Sequence, residues 1–184
     1  MTQYHRPMAC STGWLRRLIR DVPDFPEPGI GFKDIAPLIA DVDAFRFCVD
    51  ALADRFAGSS IDRIVGIESR GFLFAAPLAY RFGAGLVPVR KPGKLPGPVD
   101  VVEYELEYGT DRLEIQAGAI APGSRVLIVD DVLATGGTAA ATAALVEGLG
   151  ADVVGMGFVI ELAFLSGRTR LEGREVVALL EYAD

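Results

Sequence analysis

The sequence predicts an α/β fold with a mostly parallel central sheet flanked by helices and one β-hairpin excursion. Three observations carry this. Ile64-Val65-Gly66-Ile67 and Val126-Leu127-Ile128-Val129 are short apolar runs of the kind that fill strands buried on both faces. Such runs alternate with helical segments, the order that builds a parallel sheet. The chain has 184 residues, 51% of them hydrophobic, enough to bury a core in one domain spanning residues 1–184.

The segment Met1 to Thr12 carries no acid and reads as a disordered tail. Trp14, Leu15, Leu18 and Ile19 fit a short amphipathic helix ending near Val22, where Pro23 stops it. Asp24 to Ile35 holds two prolines, two glycines and two phenylalanines, the composition of a structured loop. Phe45, Val49, Leu52 and Phe56 recur at helical spacing and should face a core. The strand Ile64–Ile67 precedes a helix over Phe72–Phe82 and a strand over Leu86–Val89. Arg90 to Pro98 combines Arg90, Lys91 and Lys94 with glycines and three prolines, so it cannot pack as a core element and should be mobile. Val101 to Glu107 alternates as a strand does, and Arg112 to Gln116 can pair with it across Tyr108-Gly109-Thr110-Asp111. The strand Val126–Val129, an alanine-rich helix over Ala139–Leu149, and strands over Val153–Ile160 and Val176–Leu180 complete the order. There is no internal repeat.

Global properties exclude several function classes. A net charge of −7 and a pI near 4.8 argue against a general nucleic-acid partner, which needs a concentrated positive field. Cys10 and Cys48 are too few for a disulfide framework, and no secretory signal pattern is present, which predicts a cytoplasmic protein with free thiols. No apolar run approaches the roughly 20 residues that span a bilayer, so no membrane association is expected. His5 is the only histidine. Histidine-based metal clusters and Ser-His-Asp catalysis are thereby disfavoured, which leaves carboxylates as the natural acids and bases.

The most informative stretch is Val126 to Thr138. An apolar strand runs into Asp130 and Asp131, which should sit at its carboxyl edge, and then into the turn Ala134-Thr135-Gly136-Gly137-Thr138 ahead of a helix. Such a turn offers free N–H groups and two hydroxyls at a helix N-terminus, suited to a phosphate, while the carboxylates can accept hydrogen bonds from sugar hydroxyls. It matches neither a GxxxxGK[ST] loop nor a GxGxxG turn. A strand end with Thr135 or Thr138 as an ordinary cap would explain the pieces one at a time. Glu68-Ser69-Arg70-Gly71 likewise follows an apolar strand and opens a helix, giving a second anion-friendly terminus with its own guanidinium; a surface ion pair of Arg70 is the plainer alternative. The basic segment Arg90 to Pro96 could close over a phosphate site and stabilise developing negative charge, or simply be a solvated loop. Glu103, Glu105 and Glu107 share one side of a regular strand, and Glu107 is the preferred acid or base. Phe25 to Asp34 could stack on a planar base or pack as a loop, and Leu162 could be an apolar wall or ordinary core.

These motifs, in this order, resemble those of the type I phosphoribosyltransferases, which use phosphoribosyl pyrophosphate (PRPP). The Phe-Pro-x-Pro-Gly-Ile-x-Phe-Lys-Asp-Ile pattern from Phe25 and the Leu-Glu-Tyr-Gly hairpin are similar to those of the adenine-specific branch. The resemblance implies the type I fold, with a flexible β-hairpin loop and a small N-terminal hood, and transfer of the phosphoribosyl group of PRPP to adenine, giving AMP and pyrophosphate in a homodimer. It also implies Mg²⁺, bound mainly through PRPP and water, with no dedicated metal ligands in the chain. By position, Ala134, Thr135, Gly136, Gly137 and Thr138 would hold the 5′-phosphate, and Asp130 and Asp131 the ribose hydroxyls. Glu68, Ser69, Arg70 and Lys94 would hold pyrophosphate. Phe25, Gly31, Phe32, Lys33 and Leu162 would form the base pocket, approached by Glu107 and Tyr108. Glu107, Arg70, Lys94 and Asp131 would be the catalytic set. Gly31 departs from the pattern, many relatives having a β-branched residue there. The rival readings are a transferase for another base, such as a 6-oxopurine, and a non-catalytic PRPP-sensing regulator.

Overall fold

The computed structural model describes residues 12–29, 31–106 and 109–183, as two compact units divided between Phe47 and Cys48. The tail expected at residues 1–12 lies outside the described residues as far as residue 11, and His5 and Cys10 with it.

In the first unit, Thr12–Leu18 is a 3-10 helix, shorter than the amphipathic helix expected to end near Val22. Arg20–Val22 instead forms strand β1, antiparallel to β2 (Phe32–Asp34). Pro23 disfavours helical backbone at Val22, and cross-strand charge favours the ribbon. Arg20 Nη2 lies 2.5 Å from Asp34 Oδ2, and Lys33 pairs with Asp21. The expected Asp24–Ile35 loop thus ends as a strand. Two short helices follow, α1 (Ala36–Ala40), with Pro37 in its first turn, and α2 (Val42–Arg55). Asp41 Oδ1 caps α2 by accepting the N–H groups of Asp43 and Ala44 at 3.1 and 2.9 Å. Leu15, Ile35, Leu38 and Ala44 are the fully buried apolar residues of this stretch.

The second unit is built on seven strands: β3 (Arg63–Ile67), β4 (Gly85–Arg90), β5 (Val99–Leu106), β6 (Gly109–Gln116), β7 (Arg125–Leu133), β8 (Asp152–Leu162) and β9 (Val176–Tyr182). Their order is β5-β6-β4-β3-β7-β8-β9. Strands β4, β3, β7, β8 and β9 are parallel, while the β5–β6 hairpin joins antiparallel through β6. The hairpin pairs Leu106 with Gly109, so Gly109 to Asp111, expected in the turn, belong to β6.

Helices cover both faces. On one face Val65, Ile67, Val126 and Ile128 pack with Ala139, Ala143 and Val146 of α4 (Gly137–Gly148). On the other face, β3 and β8 carry glycines where side chains must come close. A Cβ on Gly66 would stand 2.8 Å from Ala75 Cβ of α3 (Gly71–Phe82), and one on Gly155 would stand 2.5 Å from Phe56. Val49, Leu52 and Phe56 are buried, as their spacing predicts, and Cys48 beside them is fully buried, which pushes its thiol up to about 12.

From β3 the chain crosses to β4 on one side, whereas β7 lies on the other. This reversal opens a crevice beyond the carboxyl ends of β3 and β7, where open α/β sheets bind their ligands. Unequal strand lengths deepen it. Pairing of β3 with β7 ends at Gly66↔Val129, yet β7 continues along β8 through Asp130↔Phe158 to Leu133↔Glu161. Asp130 and Asp131 are therefore inside a strand rather than at its end, and they lie where the strand has lost one neighbour.

Candidate active site

Two loops meet in this crevice. Gly71, first residue of α3, abuts β7 so closely that a Cβ would stand 2.8 Å from both Asp130 Oδ1 and the Val129 carbonyl. Arg70 places Nε 2.7 Å from Asp131 Oδ2. The pairing is electrostatic rather than an aligned hydrogen bond, since this buried oxygen accepts none from the described residues. Asp130 Oδ1 accepts the Asp131 N–H at 2.8 Å. Burial, reinforced by the Asp131 charge, holds the Asp130 carboxyl well above the usual carboxylate range. Burial also raises Asp131, with Arg70 pulling the other way.

Beyond the acids, Asp130 and residues 132–139 line an open cleft. The helix behind it begins with Gly136 in the left-handed region (φ 79°), and no side chain caps it. Neither Thr135 nor Thr138 is therefore an ordinary cap. A side chain at Gly136 would collide with the backbone of Gly167, and one at Gly167 would collide with the Ala134 carbonyl. The 3-10 turn Gly167–Leu171 thus buttresses the phosphate-type turn.

The first loop carries the cationic segment. Glu68 accepts from Arg90 Nε at 3.1 Å and from the Lys91 N–H at 3.0 Å. Burial pushes the Glu68 carboxyl up, but these donors, with the charges of Arg90 and Lys94, leave it below its ordinary value. The Glu68–Ser69 peptide is cis. Arg90 Nη1 donates to the Lys94 carbonyl at 3.0 Å, and the Gly93 N–H to Glu114 at 3.0 Å, so the basic segment is tied back to the sheet. Lys91 Nζ lies 2.9 Å from Asp111 Oδ2, which raises the lysine and lowers the aspartate. The Tyr104 hydroxyl lies 3.2 Å from Asp111 Oδ2 and 3.4 Å from Thr138 Oγ1, linking hairpin to cleft. Burial raises that phenol.

A model for the phosphoribosyl transferase domain matches residues 41–176. The adenine phosphoribosyltransferase of Acaryochloris marina is 59% identical over 168 residues, covering 91% of this chain and 99% of that protein. The chain belongs to the adenine phosphoribosyltransferase family. Among solved members, the enzyme from Thermoanaerobacter pseudethanolicus superposes with a TM-score of 0.90 at 52% identity, covering 93% of this chain and 99% of the other. The Saccharomyces cerevisiae enzyme, solved with an imino-altritol bisphosphate and adenine, gives 0.86 at 47%, with 94% and 100% covered.

Within this chain, the structure brings Glu68, Arg70, Asp130, Asp131 and the turn Ala134 to Thr138 to one crevice. Lys94 is exposed and adds its charge near Glu68, and Ser69 is exposed on the loop between them. Leu162 is buried at the end of β8. Phe25, Gly31, Phe32 and Lys33 belong to the first unit. There Phe25, 49% exposed, meets Phe32 edge to face at 4.9 Å between centroids. A Cβ on Gly31 meets nothing within 4 Å among the described residues, so the departure at this position leaves no steric conflict. Glu107 and Tyr108 lie outside the described residues. Sequence reading missed Tyr104, Asp111 and Gly167. Strand alternation sets Tyr104 on the face opposite Glu103 and was the available signal for the first; nothing local marks Gly167.

Proposed function

We propose that the chain transfers the 5-phosphoribosyl group of PRPP to adenine, forming AMP and releasing pyrophosphate, as a purine salvage enzyme. The observation that carries this reading is the contact of Arg70 with Asp131. It joins the two anion seats into one site, as a substrate with a phosphate at one end and a pyrophosphate at the other requires. Kinship with adenine phosphoribosyltransferases along nearly the whole chain supplies the base.

In the reaction the C1′–O bond to pyrophosphate breaks, the electron pair leaving with the pyrophosphate, and adenine N9 bonds to C1′. Carbon C1′ becomes cationic as a polyanion departs, so the site must serve both charges. Asp130 and Asp131 supply negative potential and accept the ribose hydroxyls; Arg70 and Lys94, with the Glu68–Ser69 backbone, take the pyrophosphate. Thr135 to Thr138 hold the 5′-phosphate with N–H groups and hydroxyls. Phe25, the Gly31 to Lys33 segment, Tyr108 and Leu162 are the residues read from the sequence as substrate-binding on the base side, and Glu107 is the carboxylate assigned to the purine proton.

Asp130 and Asp131 are hard carboxylates of the kind Mg²⁺ takes, with Asp131 Oδ2 already facing the Arg70 guanidinium. Among the described residues there is no group of three or more ligating side chains, and the reading assigns the ion mainly to PRPP and water. Bound there, it would neutralise the leaving polyanion. A homodimer is part of the reading. Leu73 and Tyr80, seven residues apart on α3, are 43% and 92% exposed, an apolar face that a second copy can cover. A cytoplasmic setting agrees with a buried, unpaired Cys48. No described helix is long and apolar enough to cross a membrane.

The test is incubation of purified protein with PRPP, Mg²⁺ and single bases, with chromatographic detection of nucleotides. AMP from adenine is expected. IMP or GMP in its place overturns the choice of base, and nucleotide from no base overturns transfer itself.

A further inference from the structure

We propose that Arg170 is a further substrate-binding residue, a cation stationed beside the phosphate turn to neutralise the 5′-phosphate. The proposal rests on the transferase reading above. The turn has an unmet electrostatic need. Ala134 to Thr138 contributes N–H groups and hydroxyls but no cationic side chain, and the strand feeding it carries Asp130 and Asp131. A phosphate dianion brought there joins two carboxylates, against which a helix N-terminus sets only about half a charge.

The other guanidiniums around the crevice are matched with acids: Arg70 with Asp131, Arg90 with Glu68, and Arg168 with Glu161. Arg170 pairs with no carboxylate among the described residues, and it is exposed. Its Nη1 lies 3.7 Å from the point where a Cβ on Gly137 would stand, and Thr135 Oγ1 lies 3.9 Å from the same point. Guanidinium and hydroxyl therefore converge over the bare Cα of a turn glycine.

The fold explains why the side chain is there. In a 3-10 helix residues three apart eclipse, so Gly167 and Arg170 share a face of the turn Gly167–Leu171. Gly167 is the residue pressed against Gly136 and Ala134, which turns that face toward the cleft. Arg168 fixes the segment from the other side, donating from Nε to both Glu161 oxygens at 2.7 and 2.9 Å and from Nη1 to the Val176 carbonyl at 3.0 Å. Leu171 is buried and closes the turn.

The experiment compares wild type, Arg170→Ala and Arg170→Lys by inhibition with two fragments of PRPP, ribose 5-phosphate and pyrophosphate. The alanine variant should raise the inhibition constant for ribose 5-phosphate about ten-fold, the effect of losing a charged hydrogen bond. Its KM for PRPP should rise, with pyrophosphate inhibition and the KM for adenine unchanged. The lysine variant should recover part of the loss. Arg170→Gln replaces the alanine variant should the latter not fold. An unchanged constant for ribose 5-phosphate, or equal weakening of both fragments, overturns the assignment of Arg170 while AMP formation by the wild type keeps the transferase reading. A wild type that forms no AMP overturns both.

Discussion

Arg70 Nε stands 2.7 Å from Asp131 Oδ2, so the cation of one substrate loop and the acid of the other are counter-ions across the crevice. A substrate bound as proposed would share both. Asp131→Asn keeps the shape and removes the charge; kcat/KM should fall about 100-fold or more, with the unfolding midpoint within a few degrees of wild type. A kcat/KM close to wild type would take this carboxylate out of the mechanism.

Adjacent glycines should behave in opposite ways. Gly136→Ala combines a left-handed backbone (φ 79°) with a collision against Gly167, and should cost about 2–4 kcal/mol of stability. Gly137→Ala meets only ordinary contacts, the nearest at 3.7 Å, so the fold should be kept. The added methyl fills space near Thr135 where we propose the phosphate binds, so the KM for PRPP should rise several-fold. Thermal melts and PRPP titrations decide, and a normal KM would move the phosphate away from Gly137.

Asp130 pays for its position in stability. Asp130→Asn can still accept the Asp131 N–H, and should raise the stability of the ligand-free protein by about 1 kcal/mol at neutral pH while lowering turnover. The sign follows from linkage. A carboxyl whose folded pKa exceeds its unfolded one destabilises increasingly as pH rises between the two values, and not at all below the unfolded one. The advantage of the asparagine should therefore shrink as pH falls from the raised folded value toward the ordinary carboxylate range. Melting curves across that interval check this; a pH-independent difference would mean that Asp130 is not held up by burial.

Phe25→Ala should raise the KM for adenine about ten-fold and leave that for PRPP unchanged. The lost edge-to-face contact with Phe32 should cost about 1 kcal/mol. Parallel loss of both substrates would remove Phe25 from base recognition.

The parallel sheet was legible because its strands are buried on both faces and read as unbroken apolar runs, as in Val126 to Val129. The two turns were legible because their chemistry is local: Gly71 and Gly136 follow their strands within a few residues. What escaped was set by distant partners. Arg20 to Val22 looks helical until Asp34 and Lys33 are available across the ribbon. The extent of β7 past Asp130 depends on β8 being longer than β3, which no window of sequence contains. The approach of Gly167 to Gly136 joins positions about thirty residues apart, and the reach of Tyr104 to Thr138 depends on how the hairpin lies over α4.

A thiol as reluctant to ionise as that of Cys48 is no nucleophile near neutral pH, because only the thiolate reacts. Its alkylation must wait until the packing around it parts. The speed at which a thiol reagent labels Cys48, read peptide by peptide so that Cys10 is scored separately, therefore becomes a clock for spontaneous opening of the interior. Substrates that clamp the protein should slow that clock.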